Sequence, residues 1–258
     1  RLWYSHGNLI RMNRTRYVRD NVFWYSSANK IYENSGADSR YSLHFMYADR
    51  NEILSNDYRR NSVGIFLMFS QGSTLKRNFV ADSTGPFGIG IGMKESSDIL
   101  VEENQILYNA RGFYLDSSPY QPGTLNTFRG NEINFNTTAF LLHGTLLPSL
   151  FESNVFKGNI EDVANDTPES KLEINTWRSN YWDNYEGFDR NDDGYGDIPH
   201  EQWMYADRIW SYLPAAKFFY ASPVLDFMNF LWRLMPFSEP VLLARDARPQ
   251  IRERGTEK

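Results

Sequence analysis

The hexapeptide Asn51–Asn56 reads NEILSN, and its pattern decides the fold: asparagine, any residue, an apolar residue, two further residues, then asparagine or serine. Seven copies occur: NLIRMN (8–13), NKIYEN (29–34), NEILSN (51–56), NFVADS (78–83), NQILYN (104–109), NEINFN (131–136) and NVFKGN (154–159). Their first asparagines are separated by 21, 22, 27, 26, 27 and 23 residues. A repeat with a period of this size is typical of solenoid proteins.

A second block repeats between these motifs and alternates as a half-buried strand does. Its copies are Val22–Tyr25, Leu43–Tyr47, Ile65–Phe69, Ile89–Met93, Phe113–Asp116 and Phe140–His143. Asparagine tolerates the left-handed backbone of a sharp turn, and stacked asparagines can pair their amides between coils. Since helical periodicity and the leucine-rich register are both absent, the sequence predicts an all-β, right-handed parallel β-helix.

The alternation assigns each strand residue to the core or to the outer face. We predict two inward columns, Val22, Leu43, Ile65, Ile89, Phe113, Phe140 and Trp24, Phe45, Leu67, Ile91, Leu115, Leu142. The outward columns are then Phe23, His44, Phe66, Gly90, Tyr114, Leu141 and Tyr25, Met46, Met68, Gly92, Asp116, His143. Gly90 and Gly92 are expected to leave a bare patch beside the methionines, open to a partner protein.

The composition narrows the class of protein. The 258 residues carry 27 Lys and Arg against 32 Asp and Glu, and this net charge of −5 argues against nucleic-acid binding. The lack of cysteine excludes disulfides, thiolate metal ligands and thiol catalysis. No apolar run reaches the roughly 18 residues of a membrane span. The chain begins at Arg1 without a signal peptide, so we expect it to be part of a longer protein with upstream coils.

The repeat fades beyond the seventh copy, and the composition then changes twice. We predict a parallel β-helix domain over 1–182, an acidic turn-rich loop over 183–202 and an apolar segment with a charged tail over 203–258. The apolar segment gains helical character after Pro223, a favourable first helical position. It is expected to cap the β-helix, to dock on a membrane partner, or both, and the residues expected to dock are Trp203, Trp210, Phe227 and Trp232.

One group of side chains on the predicted outer face is typical of a metal site. His44 and Met46 lie two residues apart on one strand, and Met68 follows Met46 in the next coil. Adjacent strands are about 4.8 Å apart, so two stacked thioethers can bracket one ion. Thioether and imidazole are ligands that suit Cu(I). The competing interpretation is that all three residues serve only packing.

The same outward column carries Asp116 and His143, which form a second candidate metal point. His143 lies three coils beyond Met68, about 14 Å away, and cannot complete the first site. Asp116 has no acidic partner in the adjacent coils. Glycan cleavage, a frequent activity of β-helix proteins, needs two converging carboxylates, so the pattern argues against an enzyme.

The acidic loop offers a candidate calcium site. Asp189, Asn191, Asp193 and Asp197 occupy relative positions 1, 3, 5 and 9, and glycine stands at position 6, as in a calcium-binding loop. His200 replaces the glutamate expected at position 12. The alternative is a metal-free turn rich in Asx side chains.

Several of these segments together resemble the NosD family. They are LHFMY (43–47), IFLMF (65–69), NYWDNYEGFDRNDDGYGDIP (180–199), PVLDF (223–227) and PVLL (240–243). NosD proteins are periplasmic β-helix proteins of nitrous-oxide-reductase maturation. The resemblance therefore implies a periplasmic location and a non-enzymatic role.

The resemblance also implies cargo and partners. The family works with an ABC transporter, formed by the ATPase NosF and the permease NosY, and with the copper lipoprotein NosL. Together they supply copper for the copper–sulfide centre of nitrous oxide reductase. The family's His-x-Met strand and next-coil methionine fall on His44, Met46 and Met68, and the C-terminal stretch would meet the permease. The alternatives are a carbohydrate-binding or carbohydrate-cleaving β-helix and a metal-free docking platform.

Overall fold

A computed structural model describes residues 1–204, 222–234 and 240–253. The chain winds into a parallel β-helix in which each coil contributes a strand to each of three sheets. Neighbouring strands in the repeated part pair in parallel, and their register is regular except at the strand Asp20–Trp24. The predicted all-β solenoid is confirmed.

The three sheets have eight, ten and eight strands. The first sheet contains Leu2–Trp3, Asp20–Trp24, Tyr41–Met46, Val63–Met68, Ile89–Lys94, Arg111–Asp116, Thr138–His143 and Glu161–Asn165. The second contains Leu9–Arg11, Lys30–Tyr32, Glu52–Leu54, Thr74–Lys76, Leu100–Glu102, Asn126–Arg129, Ser149–Glu152, Thr176–Arg178, Val241–Asp246 and His200–Met204. The third contains Arg14–Arg16, Ser35–Ala37, Asp57–Arg59, Phe79–Ala81, Gln105–Leu107, Glu132–Asn134, Val155–Lys157 and Tyr181–Trp182. Two helical segments are described, the 3-10 turn Leu172–Ile174 and the α-helix Pro223–Leu234.

A column of asparagines, called here the asparagine ladder, runs along the corner between the second and third sheets. Each member donates its backbone N–H and its Nδ2 to Oδ1 of the next, as in the bonds of Asn34 to Asn56 at 2.9 and 3.0 Å. The members are Asn13, Asn34, Asn56, Asn78, Asn104, Asn131, Asn154 and Asn180. The buried corner amides are thus satisfied by the neighbouring coil, which fixes the vertical alignment.

The repeating hexapeptide marks two different sides of the coil. In its first three copies it spans a strand of the second sheet, and in the four later copies it spans a strand of the third. Asn56, the second asparagine of its copy, therefore bonds to Asn78, the first asparagine of the next copy. The coil at this point is 22 residues long. The 27 residues between the first asparagines, Asn51 and Asn78, therefore do not measure one coil.

The predicted columns are also shifted at the strand Asp20–Trp24. Phe23, rather than Trp24, faces the core: it is 3% exposed, and its ring stacks on Phe45 at 4.8 Å. Trp24 is half-buried on the outer face, in register with Met46. The cause is an irregularity in the pairing just after Asp20, which moves the rest of the strand by one residue.

A second shift affects the strand Ile89–Lys94. Ile91 pairs with Ile65, and Met93 pairs with Leu67, so the predicted alignment of Ile89 with Ile65 is wrong by two residues. Gly90 points inward, because a Cβ there would lie 3.1 Å from Cγ2 of Ile106. A shift of two residues keeps the apolar alternation intact, and for this reason the pattern alone could not detect it.

The core becomes aromatic towards the C-terminal end of the solenoid. Phe140 is fully buried, and its ring stacks on Phe113 with centroids 4.5 Å apart. Phe128 and Phe151 approach the same ring edge-on at 5.2 and 4.9 Å. Trp177 continues the stack on Phe151 at 3.8 Å. Stacked and edge-on pairs of this kind hold consecutive coils together.

The second sheet continues beyond the last coil. Val241–Asp246 lies parallel to Thr176–Arg178, and His200–Met204 pairs antiparallel with Val241–Asp246. A strand therefore crosses the boundary predicted between residues 202 and 203. Gln202 also donates from Nε2 to Oδ2 of the buried Asp162 at 3.0 Å, which ties this strand pair to the solenoid.

Asp246 ends the asparagine ladder. Its carboxylate is fully buried and accepts hydrogen bonds from the backbone N–H of Asn180 at 2.8 Å and from Nδ2 of Asn180 at 2.9 Å. It also accepts from the backbone of Ser179 and Arg248 and from Nε1 of Trp182. A carboxylate only accepts, so it satisfies the last donors of the ladder without needing a further partner.

Candidate metal centre

Two neighbouring strands of the first sheet bring a nitrogen and two sulfur atoms onto one face. Met46 lies directly beside Met68 in the register of the two strands. His44 stands on the same face as Met46, and its Nε2 lies 3.2 Å from Sδ of Met68. All three side chains are half-buried. The three residues predicted as copper ligands therefore lie side by side in adjacent coils.

Aromatic rings hold the imidazole of His44 in place. Tyr41 stacks on it with centroids 4.6 Å apart and an interplanar angle of 17°. Phe66 meets it edge-on at 6.3 Å and 86°. Burial lowers the pKa of His44, and the attraction of Asp20 only partly offsets this effect. His44 is therefore neutral at pH 7, which is the form that binds a metal.

Phe66 also forms a wall of this group of residues. It is 8% exposed and is the register partner of Gly92. A Cβ at position 92 would lie 2.3 Å from Cε2 of Phe66. The predicted bare glycine patch is wrong, because the ring of Phe66 fills the space above Gly92 and Gly90 points into the core.

Beyond Met68 the outer column becomes charged. Its next members are Lys94, Asp116 and His143. Nζ of Lys94 lies 2.7 Å from Oδ2 of Asp116, and this hydrogen bond raises the pKa of Lys94. Nδ1 of His143 lies 2.7 Å from Oδ1 of Asp166. The two residues of the second candidate metal point are thus adjacent in register, and each is engaged by another charged side chain.

Below Met46 the outer column becomes aromatic. Trp24 is the register neighbour of Met46, and Trp3 is the next member, with ring centroids 4.8 Å apart. The adjacent corner carries four stacked rings, Tyr4, Tyr25, Tyr47 and Phe69, spaced by 4.9 to 5.1 Å. The alternation pattern placed Trp24 in the core instead of in this outer column, because its strand was aligned one residue out of register.

A comparison with protein-family models shows which family this chain belongs to. The family model described as "Periplasmic copper-binding protein (NosD)" matches residues 1–187, which include the strands of His44, Met46 and Met68. The chain belongs to the NosD family. The family is thus described as one of periplasmic copper-binding proteins, as the resemblance of the quoted segments predicted.

Two relatives named "Probable ABC transporter binding protein NosD" are similar to this chain. The NosD of Stutzerimonas stutzeri is 28% identical over 177 residues, which cover 67% of this chain and 36% of that protein. The NosD of Pseudomonas aeruginosa is 29% identical over 128 residues, covering 49% of this chain and 29% of that protein. The chain thus spans about a third of the length of these NosD relatives.

The candidate calcium loop lies outside the residues that the NosD family model matches. The carboxylate of Asp189 accepts from the backbone of Asp193 and Gly194, and Asp197 accepts from the backbone of Arg190. Asp193 accepts from the backbone of Tyr195, from Nδ2 of Asn191 and, at 2.9 Å, from Nη2 of Arg248. Hydrogen bonds from Tyr195 and Asn191, with the charge of Arg248, lower the pKa of Asp193. The loop thus closes on its own backbone, and calcium binding stays a prediction.

The residues predicted to dock on a partner are spread over the C-terminal part of this NosD-family chain. Trp203 is half-buried in the strand His200–Met204 and donates to Glu201. Phe227 is 59% exposed on the helix Pro223–Leu234, which also contains Trp232. Trp210 lies outside the described residues.

In the part of the chain that the structure describes, no helix is long and apolar enough to cross a membrane. The same part contains no group of three or more His, Cys, Asp or Glu side chains arranged to hold a metal.

Proposed function

We propose that this protein binds copper as Cu(I) through His44, Met46 and Met68 and hands it over for assembly of the copper–sulfide centre of nitrous oxide reductase. Membership of a periplasmic copper-binding family supports copper as the cargo. The observation that carries the site is the 3.2 Å approach of Nε2 of His44 to Sδ of Met68, with Met46 as the register neighbour of Met68.

The donor atoms suit a carrier better than a permanent store. Thioether and neutral imidazole bind Cu(I), whereas Mg²⁺, Ca²⁺ and Mn²⁺ prefer oxygen ligands. The site has no thiolate, so a partner that offers further sulfur ligands can withdraw the ion. The strands hold the donors on an outer face, where the half-buried side chains stay within reach of a partner.

We propose that copper delivery proceeds in the periplasm without catalysis and with an ABC transporter. The relatives' name supports the transporter association. The partners are then the ATPase NosF, the permease NosY, the lipoprotein NosL and nitrous oxide reductase. The helix Pro223–Leu234 is the proposed contact with the permease, because Val224, Phe227 and Leu234 are 68%, 59% and 66% exposed. These three positions follow one face of the helix.

The proposed site is tested by anaerobic Cu(I) titration against a competing colorimetric chelator. We expect one equivalent to bind to the native chain and the affinity to fall at least about 100-fold in the Met46→Leu, Met68→Leu double variant, since two ligands are lost. Leucine has nearly the volume of methionine, so packing is preserved.

Met12→Leu is the matched control, because Met12 is 71% exposed and far along the chain from the site. It should bind copper as the native chain does, and all three proteins should melt alike. If the native protein bound no Cu(I), the proposal would be wrong. The alternative function, a metal-free docking platform in which His44 and Met46 serve only packing, would then remain.

The pH dependence of copper affinity gives a separate test of His44. Because burial lowers its pKa below the usual 6.5, the imidazole needs no deprotonation at neutral pH. We expect Cu(I) affinity to change little from pH 8 to 7 and, below the lowered pKa, to fall about tenfold per pH unit as a proton competes for Nε2. The His44→Gln variant should bind more weakly and show no such dependence. An equally steep loss in that variant would assign the effect to another group.

A further inference from the structure

The outer column that carries His44 and Phe66 has one member without a side chain. In successive coils its residues are His44, Phe66, Gly92, Tyr114 and Leu141. The backbone does not require a glycine at position 92, because the residue lies within the strand Ile89–Lys94 and its φ is outside the left-handed region. The reason for this glycine therefore lies in the space above it.

The ring of Phe66 fills that space. A Cβ at position 92 would lie 2.3, 2.4 and 3.2 Å from Cε2, Cδ2 and Cζ of this ring. All three distances are below the roughly 3.5–4.0 Å at which carbon atoms make their best contact. The ring therefore occupies the volume that even a methyl group would need, and an alanine at position 92 must displace it.

The ring of Phe66 has few directions in which to move. It is 8% exposed and belongs to a small apolar cluster. The cluster also contains Val63 and Ile89, and the side chains packed against it are Tyr41, Met68 and Tyr114. Tyr114 is the register neighbour of Gly92 on the side away from Phe66. A ring expelled from above Gly92 therefore turns outward to solvent or back towards His44.

Either movement changes the support of the His44 imidazole. Phe66 meets this imidazole edge-on at 6.3 Å, and it meets the ring of Tyr41 edge-on at 6.1 Å. Tyr41 in turn stacks on His44 at 4.6 Å. The three rings thus contact one another and fix the orientation in which Nε2 of His44 lies 3.2 Å from Sδ of Met68. Residues that orient a metal ligand affect metal affinity although they do not touch the ion.

We propose that Gly92 is a positioning residue of the copper site: it leaves the space in which the ring of Phe66 holds His44 towards Met68. This inference rests on the proposed copper binding. Gly92 offers no ligand atom and lies two coils beyond His44 in the register of the sheet. Copper affinity therefore depends on the absence of a methyl group at a position outside the ligand set.

The first test is the Gly92→Ala variant in the anaerobic Cu(I) titration. We expect it to bind at least about tenfold more weakly than the native chain, the size of effect that follows when a metal ligand loses its support. Leu141→Ala is the matched control, because it shortens a side chain of the same column two coils beyond Gly92. It should keep its affinity within about twofold of the native value, since distant sites act independently. Equal affinity of Gly92→Ala and the native chain would overturn the proposal.

A double-mutant cycle shows whether Gly92 acts through Phe66. The Phe66→Val variant lacks all three ring atoms that approach position 92. We expect Phe66→Val alone to weaken copper binding, because His44 loses its edge-on partner. Adding Gly92→Ala to that variant should weaken binding by less than about twofold more. The same fold loss in both backgrounds would mean that Gly92 acts by another route.

The position of His44 is also measured without copper. The chain has four histidines, so their side-chain ¹H–¹⁵N signals are few, and His44→Gln assigns those of His44. A ring that moves beside an imidazole changes its chemical shifts, so Gly92→Ala should shift the His44 signals and leave those of the other three histidines in place.

The outcomes separate this inference from the proposed function. Native-like affinity and unshifted His44 signals in Gly92→Ala would overturn the role of Gly92 while leaving the copper site intact. A native chain that binds no Cu(I) would defeat the proposed function itself. If Gly92→Ala fails to fold, Phe66→Val decides the question, because native-like affinity without the ring would contradict the support of His44 by Phe66.

Discussion

Replacing Asp246 with alanine is expected to lower the free energy of unfolding by about 3–5 kcal/mol, because the change strands several buried donors at once. Four of the five donors come from 179–182, and the fifth is the backbone N–H of Arg248. Each buried donor without a partner costs about 1–3 kcal/mol, and water that enters the cavity restores part of the loss. Urea unfolding followed by circular dichroism measures the effect.

Two companion variants separate hydrogen bonding from charge. Asp246→Asn keeps one acceptor oxygen but turns an NH₂ group towards the donors, so it should fall between the native chain and Asp246→Ala. Asp57→Ala removes the carboxylate of a surface ion pair with Arg59, and it should change stability by less than about 1 kcal/mol. If Asp246→Ala unfolded at the same urea concentration as the native chain, the carboxylate would have no role in closing the ladder.

Replacing Phe140 with alanine is expected to cost about 3–5 kcal/mol, the range for removing a fully buried phenylalanine. The ring lies between Phe113, Phe128 and Phe151, which belong to two sheets and two neighbouring coils. Those rings cannot all move into the cavity, because each is held in its own stack. The expected readout is a large fall in the thermal midpoint together with loss of near-ultraviolet circular dichroism.

Leu141→Ala is the control for this change, since Leu141 lies on the outer face of the same strand and is half-buried. It removes a side chain of similar hydrophobicity without opening a cavity in the core. We expect a loss of less than about 1.5 kcal/mol. Equal losses at both positions would mean that the strand, and not the aromatic core, limits stability.

The sequence predicts the architecture because its signal is repeated in every coil. Each copy of the asparagine hexapeptide is one side of a coil with its two corners, and seven copies exclude chance. The alignment of copies is harder to predict, since the sides in the second and third sheets have the same length. A hexapeptide on either side therefore gives the same pattern. The pattern aligns Asn78 with Asn51, whereas the ladder residue that bonds to Asn78 is Asn56.

The candidate site is predicted as far as the coils are regular. Leu43 and Ile65 are partners 22 residues apart, and the same spacing places Met46 beside Met68. Trp24 is misplaced because an irregular pairing within its strand leaves no trace in the apolar pattern. The loop 82–88, between the strands Phe79–Ala81 and Ile89–Lys94, shifts Gly92 by two residues from its predicted alignment, which conserves the alternation. Asp246 could not be found from the repeats, since it bonds to Asn180 across 66 residues.

The placement of His44 and Met46 in one coil and Met68 in the next has a consequence for how the solenoid opens. In a solenoid each coil contacts only its neighbours, so the chain frays coil by coil from either end. The proposed copper ion, held by both coils, would stabilise the folded form of that one junction. The gain is about 2.7 kcal/mol when the free copper concentration is 100 times the dissociation constant of the site. If copper binds as proposed, the loaded junction would open later than its neighbours, and the empty junction would be as stable as they are.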